Sequence, residues 1–388
     1  MAMFSVDLGI SLPEMAREEV QKQITFLSEK ISNSRFSEDG SRLQFDAPPP
    51  LGEILSARIS ELARKLDDAL RHVQRKIIFR SSRCEAAGFA NHVSWEGVSM
   101  VGPGQAALSG LPLRLFRYFD RVFNGFGSAW TVEQVMVPTL VPSSVLSRCD
   151  YFRSFPHSLT FAGHLRPDAG VISRFRARHE AAQALDEESL ADMETPEACL
   201  SPAVCYHIYH LKENQRLSGA GHAFAVCGKC FRYESRNMVD LRRLWDFTMR
   251  EIVFLGSREF VQGNRSRSIE MICEFLEQHK LAGEIRTASD PFFVAPEAVP
   301  KTCFQLSSES KFEVSLLLPE GERLAVASHN YHADFFGRAF NIMLEVSGHS
   351  HTACVAFGLE RWVYAFLAQH GSEVRNWPAI VRSAAEFH

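Results

Sequence analysis

Alternating apolar and polar stretches divide the first 90 residues into short strands and amphipathic helices. The segments "MFSVDLGI" and "SRLQFDA" have the apolar pattern of strands, and the prolines at 48–50 end the second one. Apolar residues also recur at helical spacing in two stripes, one at Val20, Ile24, Leu27 and Ile31 and one at Leu55, Ile59, Leu62, Leu66 and Val73. With "KIIFRS" as a third strand, the order predicts a small βαβαβ-like domain over residues 1–90. A short helical hairpin is the alternative interpretation.

The remaining residues, 91–388, predict one large domain in which strands outnumber helices. The Gly-rich segment "AAGFANHVSWEGVSMVGPGQAALSG" (86–110) is typical of a junction. A helix around 111–125 leads into the strand "WTVEQVMVP", and residues 168–195 have a helical pattern. Further strands are predicted at 223–234, 245–256, 312–318, 324–328 and 352–358.

The segment "CFRYESRNMVDLRRLWDFTMREIVFLG" (230–256) places charges and an aromatic ring on one face of a predicted antiparallel pair. Arg232 and Glu234 lie two apart near the end of one strand, and Arg243, Phe247 and Glu251 follow at steps of four. Side chains on a strand alternate between its faces, so these spacings keep each group on a single face. Arginine binds phosphate oxygens and an aromatic ring stacks on a base, so the pattern predicts a nucleotide site. A solvated hairpin is the alternative.

The segment "HTACVAFGLERWVYAFLAQHG" (351–371) predicts a strand of small residues that runs into a helix. Glu360 and Arg361 lie in the first turn of that helix. Small side chains allow a ligand to approach the backbone closely. We therefore expect Arg361 to project onto the same nucleotide site.

These segments resemble the motifs of class II aminoacyl-tRNA synthetases. "FRYE…RLWDF…E" resembles their motif 2, "FGLER" their motif 3, and the helix followed by "VMVPTLVP" their motif 1, with Pro138 at the position where the family dimerises. The resemblance covers roughly residues 111–371. It implies an α+β fold, a class II antiparallel sheet flanked by helices, together with ATP binding and a homodimer.

Within class II, the chain is most similar to seryl-tRNA synthetases. "KFEVSLLLP" (311–319) and "NYHADFFGR" (330–338) resemble their serine-binding region, which implies amino-acid-binding roles for Glu313 and Asn330. "LSPAVC" (200–205) resembles their amino-acid-reading loop, but Cys205 stands where those enzymes carry a glutamate. Those enzymes also hold magnesium with a glutamate that "RLAVASHN" lacks, and Glu345 is the candidate replacement.

Cys205, Glu251 and Cys354 fall near one pocket in this alignment. They resemble the Cys/Glu/Cys zinc ligands of methanogen-type seryl-tRNA synthetases and of amino acid:[carrier protein] ligases. Two thiolates and a carboxylate suit zinc and leave a fourth position for a substrate α-amino group. The alternative for each cysteine alone is a buried thiol.

Other cysteines and histidines offer weaker candidates. "CGKC" (227–230) is a lone CxxC whose cysteines would point to opposite faces of a strand. His329 and His332 flank Asn330, and each is either a structural histidine or a ligand or base; His349 and His351 lie close by. The remaining cysteines are interpreted as structural: Cys84, Cys149, Cys199, Cys273 and Cys303.

Composition limits the partners. The net charge of −4 gives no overall attraction to nucleic acid or anionic lipid. No segment reaches the roughly 18 apolar residues of a membrane helix, and no secretory signal is recognised. Nine scattered cysteines favour reduced thiols and a cytoplasmic location. The basic cluster is either a solvated face or a docking surface for an acidic carrier protein: Arg71, Arg75, Lys76, Arg80 and Arg83.

The resemblance implies an enzyme that activates a small amino acid with ATP and transfers it to the phosphopantetheine thiol of a carrier protein. Glycine or alanine is expected, with serine possible. Arg232 and Arg361 are the predicted catalytic residues, and the predicted ATP-binding residues are Arg232, Glu234, Arg243, Phe247, Glu345 and Arg361. Zinc and magnesium are the predicted metals. The alternatives are a zinc-dependent seryl-type tRNA synthetase and a non-catalytic paralogue; tRNA is less favoured because the N-terminal unit is not basic.

Overall fold

The computed structural model describes most of the chain. The described residues are 1–24, 27–71, 73, 75–85, 88–90, 93–180, 184–234, 238–290, 298–319, 321–346 and 348–387. Parts of the predicted junction (86–87 and 91–92) and of the predicted loop between the two motif 2 strands (235–237) lie outside them.

The N-terminal elements form a small two-layer unit. They are β1 (Ala2–Asp7), α1 (Glu14–Ile24), β2 (Ser32–Phe36), β3 (Arg42–Ala47) and α2 (Pro49–Leu70). The antiparallel sheet has the order β1-β3-β2. Val6, Leu43 and Phe45 are buried on its inner face against the apolar stripes of the two helices, as the alternation of strand residues requires.

A second group of elements leads towards the large sheet. It comprises β4 (Ile77–Arg80), β5 (Val98–Gly102), β6 (Gln105–Leu108), α3 (Gly110–Phe126), β7 (Val132–Val135), β8 (Leu140–Pro142), α4 (Ser143–Arg148), α5 (Tyr151–Ser154), β9 (Phe161–Ala162), α6 (Ala169–Arg178), α7 (Glu187–Ala191) and β10 (Ala198–Leu200).

The C-terminal half supplies most of the large sheet. Its elements are α8 (Cys205–Leu211), β11 (Arg216–Leu217), β12 (Gly221–Phe231), β13 (Asp246–Gly256), α9 (Arg258–Gln278), β14 (Gly283–Thr287), α10 (Ala298–Ser307), β15 (Lys311–Leu317), β16 (Arg323–Tyr331), α11 (Phe335–Ala339), β17 (Met343–Leu344), β18 (His351–Gly358), α12 (Leu359–His370) and α13 (Ala379–Arg382).

Ten strands of the described chain join in one sheet. Its main path runs β4-β14-β15-β16-β18-β13-β12-β7, and β6 pairs with the start of β13 and with β5. The strands from β4 to β12 along this path pair antiparallel. β7 pairs parallel with β12, and β6 pairs parallel with β13 and antiparallel with β5. The predicted α+β class with an antiparallel sheet flanked by helices is confirmed.

The predicted third strand of the N-terminal unit belongs to this large sheet. β4 pairs with β14, and Ile78 and Phe79 pack against the large core. The strand predicted at "SRLQFDA" instead pairs with both β1 and β2, so the unit has the order βαββα rather than βαβαβ. Polar β2, "SNSRF", has no apolar alternation that could have predicted it. The division into 1–90 and 91–388 stays a prediction.

The two faces of the large sheet carry different kinds of residue. One face is covered by α3, α9 and α12, where Phe123 stacks on Phe357 with ring centroids 4.1 Å apart and Trp362 and Phe275 pack beside them. The other face carries a row of residues that stand opposite one another in successive strands: Glu313, Ser328, Ala356 and Glu251. Directly opposed residues share a face, so this row brings two carboxylates and two small residues onto one surface, which we call the site face.

The basic cluster of the N-terminal region is paired within the chain. The acidic partners are Asp67 and Asp68 for Arg71, Glu18 for Arg75, Glu309 for Lys76 and Glu284 for Arg80. Arg83 donates to the carbonyl of Gly88. Because four of these cations already have acidic partners, the cluster offers less free positive charge to a carrier protein than its sequence indicates.

Membrane crossing has no candidate among the described helices. None of them is both long enough and apolar enough to span a bilayer.

Candidate active site and metal centre

The site face brings together the three predicted metal ligands. Cys205 begins α8, Glu251 lies in β13 and Cys354 lies in β18. Cys354 stands opposite Val253, two residues beyond Glu251, so the sheet register turns both side chains to the site face as diagonal neighbours. Their sulfur and carboxylate ligand atoms all lie within 4.8 Å of one another.

The carboxylate of Glu251 fits a metal ligand. Its side chain is 1% exposed, and neither carboxylate oxygen has a hydrogen-bond partner among the described residues. Burying a carboxylate without a hydrogen-bond partner costs free energy, and a bound cation would offset that cost. Two sulfurs and a carboxylate within this distance match the donor set of zinc with an open fourth position.

The pKa shifts of the three predicted ligands also fit a bound cation. Burial raises the pKa of Glu251 well above its usual value, and the nearby Cys354 adds to the effect. A hydrogen bond from the Cys205 thiol lowers the pKa of Cys354 and raises that of Cys205. The buried space resists three negative charges, and a divalent cation removes this conflict.

The loop that carries Cys205 also positions Arg232. Phe231 donates its backbone N–H to the carbonyl of Ser201, 2.9 Å away, and the Nε of Arg232 donates to the carbonyl of Pro202 at 2.9 Å. The guanidinium lies over the ring of Phe247, 5.5 Å from its centroid. One continuous arrangement therefore joins the loop before Cys205, Arg232 and the ring of Phe247.

Arg361 approaches the same space from the start of α12. Its Nε donates to the carbonyl of Arg242 at 2.8 Å and its Nη1 to the carbonyl of Ala325 at 3.1 Å. Burial lowers the pKa of Arg361, and the carboxylates of Glu234 and Glu313 oppose this shift. The backbone carbonyls fix the guanidinium without neutralising its charge, which leaves that charge available to phosphate.

Glu234 and Arg243 lie just outside the ends of the paired strands. Strand β12 ends at Phe231 and β13 begins at Asp246, so both residues belong to the connection rather than to the predicted strand of 223–234 or its partner. They form an ion pair with 3.6 Å between Nε and Oε2. The structure thus brings them together near the Arg232 end of the site face.

The predicted amino-acid-binding residues lie on the site face. Asn330 stands opposite Cys354 and donates from Nδ2 to Ser328 Oγ at 3.0 Å and to Cys354 Sγ at 3.5 Å. Glu313 accepts from Ser315 Oγ at 3.4 Å. Near this row, Lys311 pairs with Asp290; burial raises the pKa of Asp290, but Lys311 overrides it and lowers that pKa to about 2.

The role predicted for Glu345 in binding magnesium and ATP stays a prediction. Glu345 is exposed just after β17, which belongs to a separate two-stranded sheet with β11, and its N–H donates to the carbonyl of Leu217. It precedes the start of β18, whereas Arg361 follows the end of that strand.

The other histidine and cysteine candidates lie on different faces of the large sheet. His329 is fully buried on the helix-covered face, with Nδ1 2.8 Å from Ser268 Oγ, and burial lowers its pKa to about 3, so its structural interpretation holds. Cys230 packs with the site-face cluster and Cys227 with the helix-covered core, in line with the opposite faces expected for "CGKC". His332 lies on the site side, because its Nδ1 is 3.1 Å from Thr352 Oγ1 and its backbone continues the pairing with β18 two residues beyond Asn330.

Sequence reasoning missed Tyr209. It lies four residues after Cys205 on α8, which puts the two on the same side of the helix, and its ring stacks on Phe336 at 4.3 Å. The side chain is fully buried, and within the part of the chain that the structure describes its hydroxyl has no hydrogen-bond partner. The i, i+4 spacing in "CYHIYHL" was the available signal.

Comparisons with known proteins agree with these arrangements. No protein-family model matches the chain. The chain is 35% identical over 258 residues to amino acid–[acyl-carrier-protein] ligase 2 of Bradyrhizobium diazoefficiens, covering 64% of this chain and 73% of that protein. It is 25% identical to the type-2 serine–tRNA ligase of Methanothermobacter thermautotrophicus, covering 69% of this chain and 53% of that protein.

Solved structures share the fold. The M. kandleri SerRS in complex with A. aeolicus tRNASec superposes with a TM-score of 0.67 at 19% identity, over 90% of this chain and 72% of that one. The seryl-tRNA synthetase of Pyrococcus horikoshii complexed with ATP gives 0.57 at 14% identity, over 85% and 78%. The chain belongs to the family of amino acid–[acyl-carrier-protein] ligases and has the fold of class II aminoacyl-tRNA synthetases.

Proposed function

We propose that this protein is an ATP-dependent ligase that activates a small amino acid and transfers it to the phosphopantetheine thiol of a carrier protein. The observation that carries the proposal is the Cys205–Glu251–Cys354 cluster on the same sheet face as Arg232. The family relationship to a ligase of that kind supports it.

The first step forms an aminoacyl-adenylate. A carboxylate oxygen of the amino acid bonds to the α-phosphorus of ATP, the bond from that phosphorus to the β-bridging oxygen breaks, and pyrophosphate leaves. Arg232 balances charge between the α-phosphate and the carboxylate, and Arg361 binds the γ-phosphate. Because the carboxylate is already ionised at neutral pH, this step needs no side-chain base.

The other groups position the substrates. Phe247 stacks on the adenine, Glu234 contacts its amino group, and Arg243 contributes to ATP binding. Asn330 and Glu313 line the amino-acid side of the site. Orientation of this kind lowers the barrier by holding the reacting atoms close together.

Cys205, Glu251 and Cys354 would hold zinc. When bound there, zinc supplies a Lewis-acidic fourth position that the substrate α-amino group can occupy. Glycine or alanine is the favoured substrate and serine is possible. The stacked rings of Tyr209 and Phe336 beside the Cys205 helix support a small side chain, since they fill space there.

The second step uses the carrier thiol. Its sulfur bonds to the carbonyl carbon of the adenylate, the bond from that carbon to the phosphate oxygen breaks, and AMP leaves with the thioester formed. A net charge of −4 supports a carrier in preference to tRNA, whose binding relies on neutralised phosphates. A seryl-type tRNA synthetase remains the alternative acceptor chemistry.

The assembly and setting are proposed with the function. Magnesium accompanies ATP. A homodimer forms along the α3–β7 region, residues 1–90 act as a separate unit, and the protein works in the cytoplasm. Nine free cysteines are in keeping with a reducing compartment. The presence of Arg232, Arg361 and the three ligand residues argues against a non-catalytic paralogue.

Amino-acid-dependent exchange of labelled pyrophosphate into ATP tests the first step. We expect exchange with glycine or alanine, and a loss of at least about 100-fold in Arg232→Gln and Arg361→Gln, because each removes charge stabilisation that develops in the reaction. Arg382→Gln, at an exposed position on α13, is the matched control and should retain exchange. Absence of exchange with every amino acid, in a folded wild-type protein, would contradict the proposal.

A further inference from the structure

Four side chains form a two-by-two patch around one predicted metal ligand. Asn330 stands opposite Cys354 in the β16–β18 pair. The pairing continues beyond the end of β16, since His332 donates its N–H to the carbonyl of Thr352 and Thr352 donates to the carbonyl of Ala333, both at 2.9 Å. Asn330 and His332 therefore lie across from Cys354 and Thr352 on the same face.

Two nitrogen-bearing side chains lie next to the sulfur of Cys354. The Nδ2 of Asn330 lies 3.5 Å from Sγ. His332 is the diagonal neighbour of Cys354 on the same face, and after the contact with Cys205 its ring is a further cause that lowers the pKa of the Cys354 thiol.

Thr352 fixes which ring nitrogen of His332 faces the sulfur. Nδ1 lies 3.1 Å from Thr352 Oγ1, and Thr352 is fully buried. A neutral imidazole has one donor and one acceptor nitrogen. With Nδ1 accepting the hydroxyl proton of Thr352, the ring proton lies on Nε2, which is the nitrogen left to face the sulfur.

Packing fixes the plane of the ring. Phe336 meets it edge-on with centroids 4.9 Å apart, and Tyr209 lies 6.2 Å away in a similar arrangement. A ring held on two sides and hydrogen-bonded at Nδ1 has little freedom to turn its Nε2 away from the sulfur.

We propose that His332, oriented by Thr352, is a positioning residue that holds Cys354 as a metal ligand through an Nε2–H donor, with Asn330 as the second donor. The inference rests on the zinc site of the proposed function and adds to it the groups that control the ligand. Partners beyond the ligands typically orient them and tune the metal, and their loss typically costs roughly 10- to 100-fold in metal affinity. Donors on one sulfur also draw electron density from the metal, which favours binding of an amine at the open position.

Zinc affinity, measured by competition with a chelator on the full chain, tests the proposal. His332→Phe keeps a ring and removes the donor, so we expect zinc to bind roughly 10- to 100-fold more weakly. His332→Gln retains an amide N–H near the position of Nε2 and should recover much of the affinity. Thr352→Val should weaken zinc in the same direction, and its matched control Thr352→Ser should not.

Cobalt substitution gives a readout that a purely structural role would not change. The sulfur-to-cobalt charge-transfer band should shift in His332→Phe and Thr352→Val, and return towards the wild-type position in His332→Gln and Thr352→Ser. Should His332→Phe fail to fold, the Thr352 pair carries the test alone.

Three outcomes would overturn the inference. Equal zinc affinity and an unchanged cobalt band in His332→Phe would show that the donor does not act on the metal. Complete loss of zinc in both His332→Phe and His332→Gln would make His332 a ligand itself. A wild-type protein that binds no zinc would refute the metal centre as well, a result distinct from the other two because it appears before any substitution.

Discussion

Glu251 is a buried acid whose two carboxylate oxygens have no hydrogen-bond partner among the described residues. A carboxylate that is 1% exposed and lacks a hydrogen bond raises the free energy of the folded state. The residue nevertheless lies in β13, an interior strand of the large sheet. With two cysteine sulfurs within 4.8 Å, a bound cation gives the simplest physical reason for this arrangement.

Cys205→Ser tests that reason. A serine hydroxyl is a much poorer zinc ligand than a thiolate, so bound zinc should fall by at least about tenfold and pyrophosphate exchange should fall with it. Metal analysis of the purified protein and the exchange assay measure the two effects. Cys273→Ser, in α9 on the helix-covered side, is the control and should retain both; unchanged zinc in Cys205→Ser would refute the site.

Single residues were partly predictable from the sequence. The family resemblance predicted Cys205, Glu251 and Cys354 although 46 and 103 positions separate them, and the structure brings them together. Their surroundings were not predictable, because the Asn330–Cys354 and His332–Thr352 pairs depend on the register of two strands. Glu345 stays a prediction; it lies before the start of β18, and Arg361 lies after its end.

Strand register decides what the elements present to the substrate. The alternation of β13 predicted that Phe247 and Glu251 share a face, and the register with β12 and β18 confirms this. The N-terminal unit was harder to predict. β4 is a short strand with one partner in sequence-distant β14, and local patterns do not indicate which sheet a strand joins.

Arg75 joins several elements of the chain. It follows α2, pairs with Glu18 on α1 and lies 3.8 Å from Glu19, while Arg286 of β14 lies 3.5 Å from Glu18. Arg75 is 12% exposed at its side chain and Glu19 only 1%, so this is a largely buried ion network between the N-terminal unit and the large sheet.

Arg75→Gln should therefore destabilise the fold. Its removal takes one cation from Glu18 and Glu19, which keep Arg286 and Lys22, respectively, so we expect a loss of about 2 kcal/mol in the free energy of unfolding. Arg58→Gln, at an exposed position on α2, is the matched control and should change it by no more than about 0.5 kcal/mol. Denaturant unfolding measures both, and equal stability of the two variants would contradict the network's role.

The same network changes how carrier docking must be tested. Charge reversal at Arg75, Lys76 and Arg80 would break internal ion pairs with Glu18, Glu309 and Glu284, respectively. Slower carrier loading in such a variant would reflect loss of structure as readily as loss of docking. The paired charges could not be recognised from the sequence, where each acid lies far from its cation except for those of Arg71.

At the scale of the whole molecule, the fold occurs both in enzymes named for tRNA and in enzymes named for an acyl carrier protein. The chain shares its fold with tRNA synthetases but belongs with carrier-protein ligases, and the adenylate step is common to both. The open question of acceptor is therefore the central one. The charge balance favours a carrier, because the long-range attraction that tRNA binding exploits is absent from a chain with net charge −4.

Acceptor choice tests the account most directly. Purified protein would receive ATP, magnesium and labelled glycine, alanine or serine, with the holo form of an acyl carrier protein and bulk tRNA in parallel. The apo carrier, which lacks the phosphopantetheine thiol, is the matched control. We predict label on the holo carrier alone, released by reagents that cleave thioesters. Label on tRNA with none on the holo carrier would contradict the account.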